Sequence, residues 1–297
     1  MVNEKVNYIE RFTKLFEELD YKFTIYKNTL WWIYSEMVQP FGPVKFDYSL
    51  SSEEAKYILN KLGGLLIRWT DGIEENKTTE WYAVICDKFL DISELPSKNR
   101  NEIGRGLKNC KVEMVNAEYI AKNGFEVFVS AFDRYKGARK PKISELEYRN
   151  NIMKTRCFDD ILHYWGIFYK DKMIGYSTNY IFDNIEVNYF TIYFHPSYLK
   201  LYPSYALFYT MNKYYLQEED FKYVNDGYRS VLHETEIQNF LQKKFFFKKA
   251  YIDLHVVYKP YIGIPLRVLK PFKYFLEKID PRIGALYMQD SISRKCT

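Results

Sequence analysis

Apolar residues recur along this chain in two rhythms, one near 3.6 residues and one of two, and their alternation predicts a mixed α/β protein. Val6, Ile9, Phe12, Phe16 and Leu19 return at helical spacing with Glu10, Lys14 and Glu17 on the other side, so the chain opens on an amphipathic helix. Residues 22–34 read as two strands around Lys27-Asn28. Pro40-Phe41-Gly42-Pro43 predicts an irregular turn. Ser51 and Glu54 have capping-box spacing and open a helix that Gly63-Gly64 ends. Residues 65–69 and 81–86 predict strands around Asp71-Gly72 and a polar loop. A basic helix over 97–109 and a strand over 111–115 follow, and Asn116 caps the next helix. Asn123-Gly124 breaks it, and another helix runs through Phe125, Phe128, Phe132 and Tyr135. Residues 137–142 are basic, polar and proline-containing, which predicts an exposed loop.

The clearest pattern lies further on. Residues 163–169, 172–182 and 185–195 are aromatic and β-branched runs parted by the tight-turn pairs Lys170-Asp171 and Asp183-Asn184. They predict an antiparallel meander. A helix over 202–217, a strand over 221–225 ending at Asp226-Gly227, a helix over 233–244 and a long strand over 246–258 complete the order β-β-β-α-β-α-β. In the tail, Leu269, Phe272, Phe275, Leu276 and Ile279 share a face with Lys270, Lys273 and Lys278 interleaved. Packing of this helix over the main sheet is the expectation; an anionic membrane surface is the other reading of the stripe.

Composition narrows the class. The 297 residues suit one large or two medium domains, and 47% hydrophobic with 27% charged residues is the profile of a folded globule. Aromatic residues make up 19%, with 29 Tyr and 22 Phe, enough for a large core in which much of the Tyr is expected ring-inward and hydroxyl-outward. A net charge of +5 is spread thinly, with no basic run dense enough for a nucleic-acid-binding tail. Cys86, Cys110, Cys157 and Cys296 are scattered without a CxxC, which argues against a zinc site or disulfide framework and for reduced thiols. Residues 1–20 have no apolar h-region, and no uninterrupted apolar run reaches about 18 residues. Together these predict a cytoplasmic chain with no membrane span and no metal. Ser-His-Asp order, HExxH, a Walker loop and a dinucleotide fingerprint are all lacking.

The order of elements over residues 110–260 is similar to the core of the GNAT (N-acetyltransferase) superfamily, and the stretch from Phe240 to Phe247 resembles the junction before its last strand, with Phe246 in place of a glycine. The resemblance implies an α/β fold with a mixed, largely antiparallel sheet flanked by helices. It also implies an acyl donor lying in a wedge between the third and fourth strands. The length and the α/β first half resemble the Fem-type (FemABX) branch, whose members carry two GNAT-like halves and transfer an amino acid from aminoacyl-tRNA. On that reading residues 1–109 form the first half, 110–260 the acyltransferase half and 261–297 a helical tail packed on the core. An ordinary GNAT holds the coenzyme A pyrophosphate on a Gly-rich loop at a helix N-terminus. Here the matching loop, His195 to Ser204, has no glycine and two prolines, each lacking an amide donor. The donor implied is therefore acyl-CoA held in some other manner, or aminoacyl-tRNA.

Asn225-Asp226-Gly227-Tyr228-Arg229-Ser230 is the leading candidate site, at the end of a strand where open α/β sheets place ligands. Asp226 is suited to take a proton from an attacking amine, Tyr228 to protonate a leaving group, and Asn225 and Arg229 to bind substrate or an anionic donor. An ordinary Asp-Gly turn with a solvated Arg229 is the plain alternative. Glu234 is a candidate base that helix-dipole complementarity also explains. His195 is a secondary catalytic candidate, since a lone histidine is more often structural. Ser204 is a donor-side candidate, and Arg100, Arg105 and Lys108 are phosphate-binding candidates or a solvated helix face. The implied function is acetyl, acyl or aminoacyl transfer to an amine-bearing acceptor. A non-catalytic GNAT-fold binding module and a tRNA- or nucleic-acid-interacting protein are the alternatives.

Overall fold

The computed structural model describes residues 8–71, 79–132, 142–230 and 236–296. In chain order these form α1 (Tyr8–Glu18), β1 (Phe23–Tyr26), β2 (Thr29–Tyr34), β3 (Met37–Phe41), α2 (Ser52–Leu62), β4 (Leu66–Asp71), β5 (Tyr82–Cys86), α3 (Ser97–Asn109), β6 (Lys111–Val115), α4 (Ala117–Asn123), α5 (Phe125–Ala131), α6 (Glu145–Met153) and β7 (Leu162–Tyr169). The remainder are β8 (Lys172–Phe182), β9 (Glu186–Phe194), α7 (Pro203–Lys213), β10 (Tyr223–Tyr228), α8 (Glu236–Phe245), β11 (Lys248–Tyr251), β12 (Asp253–Tyr258), α9 (Pro260–Val268), α10 (Lys273–Ile279) and α11 (Pro281–Ser293). The features read from the sequence at Gly72, Tyr135, most of 137–142 and Glu234 lie outside the described residues. The chain divides into two compact units, each assembled from separated stretches. The first takes the chain up to Leu19, then Ile85–Asp226 and Phe240–Phe247; the second takes Asp20–Val84, Gly227–Asn239 and the chain from Lys248.

The first unit is built on the meander. β6 to β9 pair antiparallel in sequence order, and β10 adds in parallel beside β9. β8 is buried along all but its first residue, because its two faces meet different helices. Tyr180 and Phe182 face α1, where Phe12 meets both rings and Tyr8 meets Phe182, at centroid separations of 5.1 to 5.5 Å. On the other face Ser177 donates to Asn179 Oδ1 at 2.6 Å. Asn179 Nδ2 and Trp165 Nε1 then donate to the Tyr215 hydroxyl at 3.2 and 2.8 Å. Tyr215 lies in a π-helical turn (Tyr214–Glu218) that extends α7. Having accepted twice, its hydroxyl has its proton for His163 Nδ1, 3.0 Å away, and burial pushes the His163 pKa down so that the ring is neutral and can accept. The hydroxyls of Tyr148, Tyr164, Tyr176 and Tyr189 are likewise bonded inside the unit, so these rings are inward with hydroxyls inward too.

In the second unit the sheet order is β1-β2-β3-β4-β12, antiparallel except for two parallel rungs between β3 and β4. α2 covers one face, packing Ala55, Ile58, Leu59 and Leu62 on Trp31, Val38, Ile67 and Trp69. Its capping box is complete, with both reciprocal Ser51–Glu54 bonds made, and Gly63 closes it at φ +79. α11 packs on β12, where Ile292 joins Leu254, Ile252 and Trp81.

The elements depart from the sequence reading at identifiable places. β3 runs through Pro40, where a turn is expected; Pro40 lies past the last β3–β4 rung, so its missing N–H leaves no partner unserved on that side. α6 is absent from the sequence reading because it buries only Tyr148 and so has no apolar stripe to announce it. The run 246–258 is two strands, not one, parted at Ile252, and only β12 joins the five-stranded sheet. Of the tail stripe, Leu269, Phe272, Phe275 and Ile279 are exposed rather than packed on a sheet. Phe12 anchors the first unit, so Phe12→Ala is expected to lower the unfolding free energy by about 3–5 kcal/mol in urea denaturation. A loss below about 1 kcal/mol would mean that α1 is not part of that core.

Candidate active site

β9 and β10 pair over three rungs only, Tyr223 opposite Glu186, Val224 opposite Val187 and Asn225 opposite Asn188. β9 then runs on to Phe194 with a strand partner, among the described residues, on its β8 side alone. Beyond Asn188, alternate backbone N–H groups on its other edge therefore have no strand to pair with. The seam is held by a buried polar pair: Asn225 Nδ2 donates to Glu186 Oε1 at 3.0 Å, and both side chains are fully buried. The printed pairing of β9 with β10 thus ends at Asn225, three residues short of the end of β10.

Asp226 is the first residue past the last rung. It is half-buried, and its carboxyl has no hydrogen bond or ion pair among the described residues. Burial without a compensating donor pushes its pKa from 3.8 up to about 8. Tyr189 stands on the β9 side, where burial, then Tyr215, Cys86 and Asp226, push its hydroxyl pKa well up; the neutral hydroxyl donates to Asn212 Oδ1 at 2.8 Å. The Asp226-Gly227 dipeptide is not a turn. β10 continues through it to Tyr228, with Gly227 at φ +88, a conformation costly for any residue with a Cβ.

Tyr228 and Arg229 belong to the second unit. The Tyr228 hydroxyl is 3.2 Å from Thr70 Oγ1, and its ring stacks on Trp81 with centroids 6.1 Å apart. Arg229 donates from Nη1 to the Glu80 carbonyl at 2.7 Å and from its backbone N–H to the Tyr82 carbonyl at 2.8 Å. Both side chains therefore have local structural partners. Asn225, spent on Glu186, presents no surface to a ligand. His195 caps the 3₁₀ turn Pro196–Leu201, its Nδ1 accepting from the Ser197 N–H at 3.3 Å while Nε2 lies 3.5 Å from Glu126. A cap accounts for its position.

The loop that follows is closed by α3. Gly106 lies against the start of α7 so tightly that a Cβ would come within 2.7 Å of the Tyr202 carbonyl and 3.0 Å of the Ala206 nitrogen. Beside it, the Arg105 guanidinium sits 4.5 Å from the Tyr202 ring centre and donates to its hydroxyl at 3.0 Å. The structure thus brings Arg105 to the helix start that carries Ser204. Pro203 has no N–H, and the Tyr205 and Ala206 N–H groups both donate to the Tyr202 carbonyl. The Ser204 N–H alone in that first turn lacks a partner among the described residues. Arg100 and Lys108 are exposed on α3. No group of three or more His, Cys, Asp or Glu side chains is placed to hold a metal among the described residues. Glu186 escapes the sequence reading, since only the β9–β10 register sets it beside Asn225, and so does Tyr189, whose electrostatic coupling to Asp226 follows from the fold.

No protein-family model matches the chain, and no curated protein matches its sequence. Solved structures do. FemX matches 81% of this chain and 88% of its own with a TM-score of 0.53 at 10% identity. The C-terminal (DUF2156) domain of a protein assigned as a lysylphosphatidylglycerol synthetase, from Agrobacterium fabrum, matches 85% of this chain and 88% of its own with a TM-score of 0.51 at 11% identity. At such identities the likeness is one of fold. The chain has a GNAT-like fold of the Fem type, a mixed α/β architecture with two largely antiparallel sheets flanked by helices.

Proposed function

We propose that this protein is an N-acyltransferase in which Asp226 takes the proton of an attacking amine and an aminoacyl ester on tRNA is the donor. The observation that carries the reading is the Asp226 carboxyl, half-buried, without a partner among the described residues and raised to about 8, where β10 leaves β9. A base is most effective when its pKa lies near the working pH, and an unpartnered carboxyl has its lone pairs available for a substrate proton. The amine nitrogen attacks the ester carbonyl and gives its proton to Asp226. The C–N bond forms, the C–O bond breaks, and Asp226 returns the proton to the departing ribose oxygen. Unpaired N–H groups on the β9 edge would hold the negative oxygen formed on the way.

The choice of donor rests on α7. Its first turn offers the Ser204 N–H and little else, whereas a pyrophosphate is held by several convergent amides. An ester on RNA needs no such clamp, and the cations Arg100, Arg105 and Lys108 on α3 suit a phosphate backbone. Residues 110–260 would form the transferase half, as the resemblance implies.

With charged tRNA, a panel of primary amines and mass spectrometry of the amide product, turnover is expected to climb with pH and level off above about 8. Asp226→Asn is expected to cut it about 10²–10⁴-fold and to abolish that climb. Unaltered turnover in the variant would remove Asp226 from the reaction. In a thermal-shift titration, charged tRNA is expected to stabilise the chain and coenzyme A to leave it unchanged; a dose-dependent shift with coenzyme A would replace the proposed donor.

Asp226 also has a signature in stability that needs no substrate. Its pKa is 3.8 unfolded and about 8 folded, so between those values the folded state binds more protons and stability falls as pH rises. Asp226→Asn is therefore expected to melt with the native chain near pH 4 and above it beyond about pH 8. Equal melting temperatures at about pH 9 would show that no buried ionisation is being relieved.

A further inference from the structure

Eight of the large apolar side chains exposed on this protein lie within 19 residues, Tyr261, Ile264, Val268, Leu269, Phe272, Tyr274, Phe275 and Ile279, and seven of them are at least 60% exposed. Folded surfaces rarely expose so dense an apolar group without a partner. The segment is itself ordered: Leu266 is buried, α10 lies on α11, and α11 is fixed to β12 through Ile292 and Leu254. The inward face of α10 is identified by its contacts. Lys273 and Glu277 pair at 3.3 Å, with Lys273 over the Tyr287 ring and Glu277 against Gly284, both on α11. At 100° per residue the opposite face centres on Phe275, flanked by Phe272 and Ile279 on one side and by Tyr274 and Lys278 on the other.

The unpaired charges of this segment, among the described residues, have one sign. Arg267, Lys270 and Lys278 are exposed and have no carboxylate partner among the described residues, whereas the neighbouring carboxylates are taken, Asp280 by Arg282 and Glu277 by Lys273. Lys278 lies over the Tyr274 ring at 4.2 Å, its stem along apolar surface and its charge at the rim. No helix among the described residues is long and apolar enough to cross a membrane. We infer that α9, α10 and the turn between them form a docking face for the surface of an anionic lipid bilayer. Phe272, Phe275, Ile279 and Val268 enter the headgroup–acyl boundary, and Arg267, Lys270 and Lys278 meet lipid phosphates. A second protein surface would be served by the apolar residues, but exposed cations interleaved with them along the segment, without free carboxylates among the described residues, match a sheet of negative headgroups better.

The test is co-sedimentation of the full chain with lipid vesicles. Vesicles containing about 30% phosphatidylglycerol are expected to pull the protein down and pure phosphatidylcholine to pull down far less, because each cation adds about fivefold in affinity on an anionic surface. Raising salt from about 0.1 M to about 1 M shortens the screening length from about 10 Å to about 3 Å and is expected to weaken binding. Phe272→Ser with Phe275→Ser is expected to weaken it at least about tenfold, since each aromatic ring forfeits its burial. Arg267→Glu, Lys270→Glu and Lys278→Glu together are expected to abolish the preference for phosphatidylglycerol. Both variants change exposed residues and are expected to keep the native melting temperature. The inference is overturned by no binding to anionic vesicles, or by binding that either variant leaves intact. It is equally overturned if the native chain binds no vesicles but forms a dimer in ultracentrifugation that the Phe272→Ser, Phe275→Ser variant dissolves; the face then belongs to a second copy.

Discussion

The first unit depends on a seam three rungs long. Glu186 and Asn225 sit on facing strands, fully buried, and are bonded to one another. Leaving either alone would cost about 1–3 kcal/mol or more. The pair also fixes register, because a slip of one residue would turn Asn225 to the opposite face and place Asp226 inside the seam as an unpaired buried carboxylate. The strands are thus held together just up to Asn225 and parted just after it. That geometry puts Asp226 half in and half out of solvent, which is the cause of its raised pKa.

Around this seam the tyrosines act as more than apolar filling. Tyr148 bonds to Tyr176, Tyr164 to Thr155, Tyr189 to Asn212, and Tyr215 to Trp165, Asn179 and His163. Each ring brings core area and a hydroxyl that must find a partner, so every such bond narrows the packings the core accepts. The buried polar groups of β8 would be a liability in isolation. Set against Tyr215 they become a constraint on how α7 meets the meander.

Much of the fold is legible in the sequence because local rules determine it. The capping box at Ser51–Glu54, the αL glycine at Gly63 and the tight turns at Lys170-Asp171 and Asp183-Asn184 each act within a few residues, and the elements they bound emerge where the pattern puts them. Elements whose signal is tertiary are illegible. α6 buries one side chain, β3 accommodates Pro40 because its pairing with β4 ends at Val38, and nothing in the run through Ile252 marks a change of sheet. The site divides in the same manner. Asp226 is visible as a carboxyl near a strand end, but its isolation, its neighbour Tyr189 and the closure of α7 by Gly106 all follow from register and packing. Tyr228, Arg229, Asn225 and His195 are equally conspicuous in the sequence, yet each is accounted for by a structural partner.

The contrast between those residues and Asp226 is informative in itself. A fold under pressure only to be stable would give a half-buried carboxyl a donor, as it gives one to Glu186, or would replace it with an amide. Leaving it without a partner among the described residues forgoes stability throughout the neutral range, since the group resists ionisation there. Cost without structural return concentrates where a protein does chemistry. The start of α7 shows the opposite allocation: Gly106 lets α3 pack against that helix terminus, so its backbone is spent on the core.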